Sequence, residues 1–364
     1  MLSVVPAADL LPALAAALDG SGPAVVPEVA PEVLAALRPA EPLEHDDVVL
    51  VVPTSGSTGE PKGVLLTAGN LRASALATAD RLGGHASWLL AIPPTHVGGL
   101  QVLVRSLLAG TTPVVLPPGP FEAASFAAAT AALTGRRRCV SLVPTQLRRL
   151  MTAEGRDALR AYDAVLLGGA AAPPSLLAQA RESGARVVTT YGMSETSGGC
   201  VYDGVPLDGV RVSVVGGRVR LGGPVVAHGY RLRPDLTAAA FAGDVFTTSD
   251  LGRLDGGVLT VLGRADDVLV SGGENVAPLA VEAALETHPS VVEAAVTGVP
   301  DEEWGSRVVA LVVLRGPLPL DEARDHVAAT LPRSWAPREV REVEALPLLA
   351  SGKLDRAALR LPAT

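Results

Sequence analysis

The chain has 364 residues, of which 48% are hydrophobic and 19% charged, so it carries apolar material for a sizeable core and more length than one core usually fills; two domains are expected and disorder is not. A formal net charge of -8 and a pI of about 5.3 exclude nucleic acid or an anionic membrane surface as the main partner.

From the N-terminus, MLSVVPAADLLPALAAALDG has no basic lead and carries Asp9 inside its apolar run, so no secretion signal is expected. Short β-branched runs then alternate with helical patterns. VVLVV (48–52), WLLAI (88–92), PVVL (113–116), CVSLV (139–143), AVLL (164–167) and RVVTT (186–190) read as buried strands. NLRASALATADRL, LQVLVRSLLAG, EAASFAAATAALTG and PPSLLAQARESG read as the helices between them. Apolar strands alternating with helices predict a mostly parallel sheet with helices on both faces, and ligands of such sheets bind beyond the carboxyl ends of the strands. From about residue 209, VRVSVVGGRVRLGG and VFTTSDLGRLDGGVLTVLGR predict a small antiparallel β region. After GRADD a separate α+β domain is expected, which divides the chain into domains at 1–264 and 265–364. The uncharged span 82–104 is interrupted by Pro-Pro, Gly and His and reads as strand, loop and helix, not as a membrane span. Cys139 and Cys200 form no CxxC pair and are too few for a disulfide framework, so a cytoplasmic setting is expected.

The loop PTSGSTGEPKG (53–63) combines small residues, which let successive N–H groups curl around an anion, with hydroxyls at Ser55, Ser57 and Thr58 and a charge at Lys62. It is not a Walker A loop, because Pro61 precedes the lysine and Gly63 follows it. Of 30 basic residues only Lys62 and Lys353 are lysines. A lysine is a compact charge on a slim stem and suits a crowded phosphate or carboxylate pocket where a planar guanidinium does not. The remaining histidines outside THVGGL show no metal-ligand spacing and read as structural. The arginines at 136–138 and at 148 and 149 read as a solvated face, with the phosphates of a nucleotide-like ligand as the other reading.

TSGSTGEPKG resembles the phosphate-loop signature of the adenylate-forming superfamily, which includes acyl-CoA synthetases, peptide-synthetase adenylation domains and luciferases. IPPTHVGGL, LLGGA, YGMSE, TTSDLG, GRADDVLVSGGENVAP and SGKLDR resemble further motifs of that superfamily, in its order. The resemblance implies an AMP-forming acid:CoA ligase using ATP, Mg²⁺ and CoA, with a large N-terminal domain and a mobile C-terminal one. It implies phosphate contacts from Thr54, Ser55, Gly56, Ser57, Thr58, Gly59 and Lys62, and adenine contacts from Gly168, Gly169, Ala170, Tyr191 and Gly192. Ser194 would meet the α-phosphate, Asp250 and Arg264 the ribose side, and Glu195 the Mg²⁺ ion. Lys353 and His96 would serve the reacting carboxylate, Asp266 would be the hinge, and Gly272 and Gly273 would admit the pantetheine arm of CoA.

The short stretch before the phosphate loop, with YGMSETSGGCVYDGVPLDGV, resembles the bacterial o-succinylbenzoate:CoA ligases of menaquinone biosynthesis. On that resemblance the N-terminal domain is expected to be truncated relative to the superfamily. Gly98, Gly99, Gly198 and Gly199 would leave space for an aromatic ring, while no cation is marked in the sequence as partner for a second carboxylate. Alternatives are a CoA ligase for another aryl or medium-chain acid, a stand-alone adenylation enzyme loading a carrier protein, and a degenerate nucleotide-binding regulator. The resemblance leaves a homodimer open.

Overall fold

The computed structural model describes residues 2–55, 61–347, 354–356 and 358–359. Five of the predicted strands, between 88 and 190, meet in one sheet whose order is Val205–Pro206, Gly198–Tyr202, Val187–Met193, Ala164–Leu167, Arg138–Leu142, Ser87–Leu90 and Val114–Val115. The last five run parallel, and the two strands at the other edge are antiparallel. Helices such as Val97–Leu108 and Pro174–Glu182 supply the crossovers that parallel neighbours require.

VVLVV belongs elsewhere. It forms Val48–Ser55 in a second sheet of order Ser3–Val5, Val25–Pro27, Val48–Ser55, Pro61–Thr67 and Gly229–Tyr230. The reason is local: Thr54 pairs with Lys62 and Ser55 with Pro61 in antiparallel register. The described ends of the 53–63 stretch are therefore antiparallel strand partners, where the alternating pattern had suggested a strand leading to a helix. Helix Ala68–Arg81 starts with a reciprocal cap. Asn70 N–H donates to Thr67 Oγ1 and Thr67 N–H to Asn70 Oδ1, both at 3.0 Å, and the Asn70 amide also donates to Pro224 and Val226 carbonyls. That cap fixes the approach to Gly229–Tyr230 beside the hairpin.

The antiparallel region joins Arg211–Val215, Arg218–Gly222, Phe241–Ala242, Val245–Asp255 and Val258–Arg264. Beyond it lies the C-terminal domain: a hairpin of Leu269–Ser271 and Glu274–Val276, helices Pro278–Leu285 and Leu320–Ala328, and a sheet of Val291–Asp301, Gly305–Leu314 and Glu339–Glu342. Val281, Leu285, Val308, Val312 and Val327 are fully buried in a core of its own. Each such side chain contributes about 1.5–3 kcal/mol of apolar burial. Among the described residues no helix is long and apolar enough to cross a membrane.

Arg148, near the end of Pro144–Arg149, is exposed, with 40% of its side chain accessible. It forms an ion pair with Glu293 of the C-terminal domain and its charge reaches Glu286. Burial raises the Glu286 pKa from 4.5 to about 7; Glu282 adds to this, while the Ala294 N–H and Arg148 oppose it. The folded protein thus keeps a proton that the unfolded chain releases between pH 4.5 and 7, so stability falls as pH rises through that window and the cost is complete above it. Glu286→Gln is expected to be more stable than the parent by about 1–3 kcal/mol at pH 8, with the gap closing toward pH 4.5, in denaturant unfolding followed at both pH values. A gap that is equal at the two pH values would contradict this.

Candidate active site

The hairpin Val48–Thr67, the strand Val187–Met193 with the short helix Ser194–Thr196 after it, and the strand Gly229–Tyr230 meet at one place. Tyr230 pairs with Val64, and the Ala227 N–H donates to the Glu195 carbonyl at 2.9 Å. Lys62 lies with its Nζ 5.1 Å from the centre of the Tyr230 ring, and the Tyr230 hydroxyl donates to Glu195 Oε1 at 2.8 Å. Burial raises the Glu195 pKa, and the Tyr230 hydrogen bond and the Lys62 charge pull it back. The carboxylate is therefore short of cationic company. Mg²⁺ is bound by one or two carboxylates together with phosphate and water oxygens. Glu195 has the chemistry of such a ligand, and among the described residues no group of three or more His, Cys, Asp and Glu could cage a metal without a nucleotide.

A second group forms where the two antiparallel strands Val245–Asp255 and Val258–Arg264 meet the end of Val187–Met193. The Tyr191 hydroxyl donates to Asp250 Oδ2 at 2.6 Å, and Arg264 Nη1 lies 3.8 Å from Asp250 Oδ1. Asp250 N–H is held by Thr248 Oγ1 at 2.9 Å, which aims the side chain toward Tyr191. Burial, then the Asp250 charge, push the Tyr191 hydroxyl well above the usual phenol range, so it stays a donor. Arg264 also meets Asp266 at 3.2 Å, which links Asp250 to the predicted hinge in Ala265–Asp267.

Gly168, Gly169 and Ala170 follow the Ala164–Leu167 strand, next to Val187–Met193. A Cβ on Gly168 would lie 2.3 Å from Thr190 Oγ1, and one on Gly192 would lie 2.2 Å from the Gly198 carbonyl, so both glycines permit close backbone approach. Ser194 is buried in the short helix Ser194–Thr196, and His96 is exposed at the N-cap of Val97–Leu108. Gly56, Ser57, Thr58, Gly59 and Lys353 lie outside the described residues.

The glycines expected to surround an aromatic ring divide into two kinds. Gly98 would place a Cβ in ordinary contact with Ile92, whereas Gly99 would place one 2.5 Å from the Pro93 carbonyl. Gly99 therefore lets the helix pack closely on the loop before it. A Cβ on Gly198 would lie 3.3 Å from Gln101 Cγ, so the helix Val97–Leu108 backs this position, while one on Gly199 would lie 3.1 Å from Thr190 Cβ and 3.3 Å from Tyr202 Cε1. Gly272 and Gly273, at φ 59° and 80°, form the two-residue turn of the hairpin after Leu269–Ser271, and a Cβ on Gly272 would strike the Trp304 ring at 2.8 Å. The turn itself requires glycine there.

Sequence reasoning missed Tyr230, which sits in an unremarked HGY, and it missed Gln101 and Arg105. Arg105 could have been noticed as a charge inside the apolar helix VLVRSLL. It is 6% exposed, and its Nη2 makes long contacts to Thr78 Oγ1 at 3.3 Å and Tyr202 OH at 3.5 Å. Its Nε has no hydrogen-bond partner among the described residues, where no carboxylate pairs with the guanidinium. Its planar group lies over Trp88 at 5.0 Å. One helical turn earlier, the buried Gln101 amide has neither atom hydrogen-bonded among the described residues. Arg231 shows what a structural buried arginine looks like in the same chain: it pairs with Glu44 at 2.9 Å and donates to the carbonyls of Leu37, Arg38, Glu41 and Pro42.

The chain matches the family model for AMP-binding enzymes over residues 5–230 and that for the AMP-binding enzyme C-terminal domain over residues 280–353. It is 52% identical over 363 residues to a probable 2-succinylbenzoate–CoA ligase of Mycobacterium tuberculosis, covering 96% of this chain and 94% of the relative. Among solved structures it is similar to o-succinylbenzoate CoA synthetase from Bacillus subtilis in complex with the acyl-adenylate intermediate OSB-AMP, at 30% identity and a TM-score of 0.74, covering 96% of this chain and 81% of that one. The same Bacillus subtilis enzyme in complex with ATP and magnesium ion matches at 33% identity and a TM-score of 0.71, over 87% of this chain and 70% of that one. The chain belongs to the AMP-binding enzyme family, the adenylate-forming ligases whose motifs run through its sequence.

Proposed function

We propose that the protein is an ATP-dependent o-succinylbenzoate:CoA ligase of menaquinone biosynthesis, working in the cytoplasm, where its two buried cysteines stay free. A carboxylate is a poor electrophile. In the first step its oxygen attacks the α-phosphorus of ATP, the bond to pyrophosphate breaks, and an acyl-adenylate forms. In the second the thiol sulfur of CoA, losing its proton, attacks the acyl carbon and AMP leaves. Fixed donors and cations around the phosphoryl oxygens lower the first barrier. Thr54, Ser55, Gly56, Ser57, Thr58, Gly59 and Lys62 hold the departing phosphates in this reading. Ser194 meets the α-phosphate, and Gly168, Gly169, Ala170, Tyr191 and Gly192 hold the adenine. Asp250 and Arg264 take the ribose, while Lys353 and His96 serve the reacting carboxylate. Glu195 would hold Mg²⁺, which would supply charge neutralisation on the phosphates. Rotation of the C-terminal domain about Asp266 then brings Gly272 and Gly273 to the CoA.

The observation that carries the choice of acid is Arg105. A guanidinium taken out of water needs an anion or a full set of acceptors. Arg231 has both; Arg105 has two long hydroxyl contacts. It stands behind the wall formed by Gly198 and Gly199, since the Tyr202 ring that Gly199 faces carries the hydroxyl it touches. The ring carboxylate of o-succinylbenzoate, the one not converted to a thioester, supplies the missing anion. An acid panel with ATP, Mg²⁺ and CoA, following AMP and thioester, tests this. Thioester is expected from o-succinylbenzoate. Arg105→Leu and Arg105→Lys are expected to raise its KM about 10-fold to 100-fold, the value of a hydrogen bond to a charged group, and to leave a monocarboxylate analogue nearly unchanged. Turnover of another acid only, or equal losses for both acids, would contradict the assignment.

A further inference from the structure

Three residues after Lys353, Arg356 stands at a junction that the ligase chemistry outlined above does not use. Its Nη1 and Nη2 donate to Glu282 Oε1 and Oε2 at 3.0 and 2.9 Å, and its Nε lies 3.4 Å from Asp267 Oδ2. Glu282, on the helix Pro278–Leu285, is 5% exposed and also accepts the Val296 N–H at 2.8 Å. One guanidinium thus joins three elements of the C-terminal domain. It joins the segment that follows the lysine, the buried face of a helix, and the residue immediately after the hinge aspartate Asp266. Leu359 adds a second anchor, 2% exposed against Ala295 and Leu311.

A fork-to-fork pair on a buried carboxylate fixes orientation as well as distance. We infer, resting on the ligase reading, that Arg356 is a positioning residue for Lys353: it anchors residues 354–356, which follow the lysine in the sequence, to Glu282 and to Asp267 on the distal side of the predicted hinge. The lysine then enters the adenylation site at a set depth each time the domain rotates. A purely structural arginine would instead keep the C-terminal domain folded and matter equally to both steps, because the Gly272–Gly273 turn lies on the same domain.

The two half-reactions separate these roles. Adenylation is followed by acid-dependent exchange of pyrophosphate into ATP, and thioester formation by adding CoA to the synthetic acyl-adenylate. Arg356→Ala is expected to slow adenylation about 10-fold to 100-fold, the scale of a 1 Å misplacement of a catalytic group, and to leave thioester formation from supplied adenylate within about 3-fold. Arg356→Lys, which keeps the charge and loses the fork, is expected to fall between Arg356→Ala and the parent. Equal losses in both half-reactions, or no loss in either, would overturn the inference. The measurement uses whichever acid the parent enzyme turns over. A wrong substrate therefore appears as a silent parent with o-succinylbenzoate, and a wrong role for Arg356 as the absence of the split.

Discussion

Lys353→Ala is expected to lower adenylation by on the order of 10²-fold to 10³-fold, the cost of removing one fixed donor from a transition state that gathers charge on phosphoryl oxygens. Lys62→Ala is expected to cost less. Lys62 sits over the Tyr230 ring and beside Glu195, and in the proposed reading it helps to hold the phosphates which leave. In the same reading Lys353 would belong to the domain that moves, with its charge needed where the acid carboxylate and the α-phosphate approach each other. Two anions are brought together there, and a slim ammonium group fits between them where a planar guanidinium does not. Lys353→Arg is accordingly expected to recover little. Thioester formation from supplied acyl-adenylate should survive the loss of Lys353, since the lysine has by then been rotated away. A Lys62→Ala enzyme slower in adenylation than Lys353→Ala would reverse the assignment of the two lysines.

The parallel part of the large sheet was legible because its strands are short apolar runs, most of them followed by a helical pattern, as in AVLL (164–167) and PPSLLAQARESG. The second sheet was not legible in the same way. Its strands Ser3–Val5 and Val25–Pro27 are three residues long, too short for a period to register, and Val48–Ser55 carries the same apolar run as a parallel strand. Only the antiparallel return at Thr54 and Lys62 reveals its neighbour. At the site, motif residues whose side chains carry charge could be named from the sequence. Tyr191 and Asp250 are 59 positions apart and lie in hydrogen-bond contact. Residues that act by being buried were hidden: Tyr230 looks like any strand aromatic until its hydroxyl is found on Glu195, and Arg105 looks like a helix-surface charge until its exposure is known. The packing demand on Gly99, where a Cβ would meet the carbonyl of Pro93, was hidden in the same way.

Glu195→Gln is expected to lower adenylation by on the order of 10²-fold to 10³-fold and to raise the Mg²⁺ concentration needed for half-maximal rate, measured by pyrophosphate exchange across a magnesium titration. Glutamine keeps the shape and an oxygen able to accept the Tyr230 hydrogen bond, so the short helix Ser194–Thr196 should hold its place. What changes is the charge. In the parent, burial disfavours the ionised carboxylate, and the Tyr230 hydrogen bond, a backbone N–H and the Lys62 charge counter it, so a bound divalent cation gains at this position. Tyr230→Phe separates the carboxylate's own contribution from that of its support. Without the hydroxyl, Glu195 loses its 2.8 Å donor and the ring under Lys62 remains, so the variant should keep most of the rate and lose no more than about 10-fold, the scale of one neutral hydrogen bond to a charged group. Were Glu195→Gln to lose rate with no change in its magnesium requirement, Glu195 would be acting on the nucleotide through Lys62 and Tyr230 alone. In that case Tyr230→Phe and Lys62→Ala should each reproduce its loss.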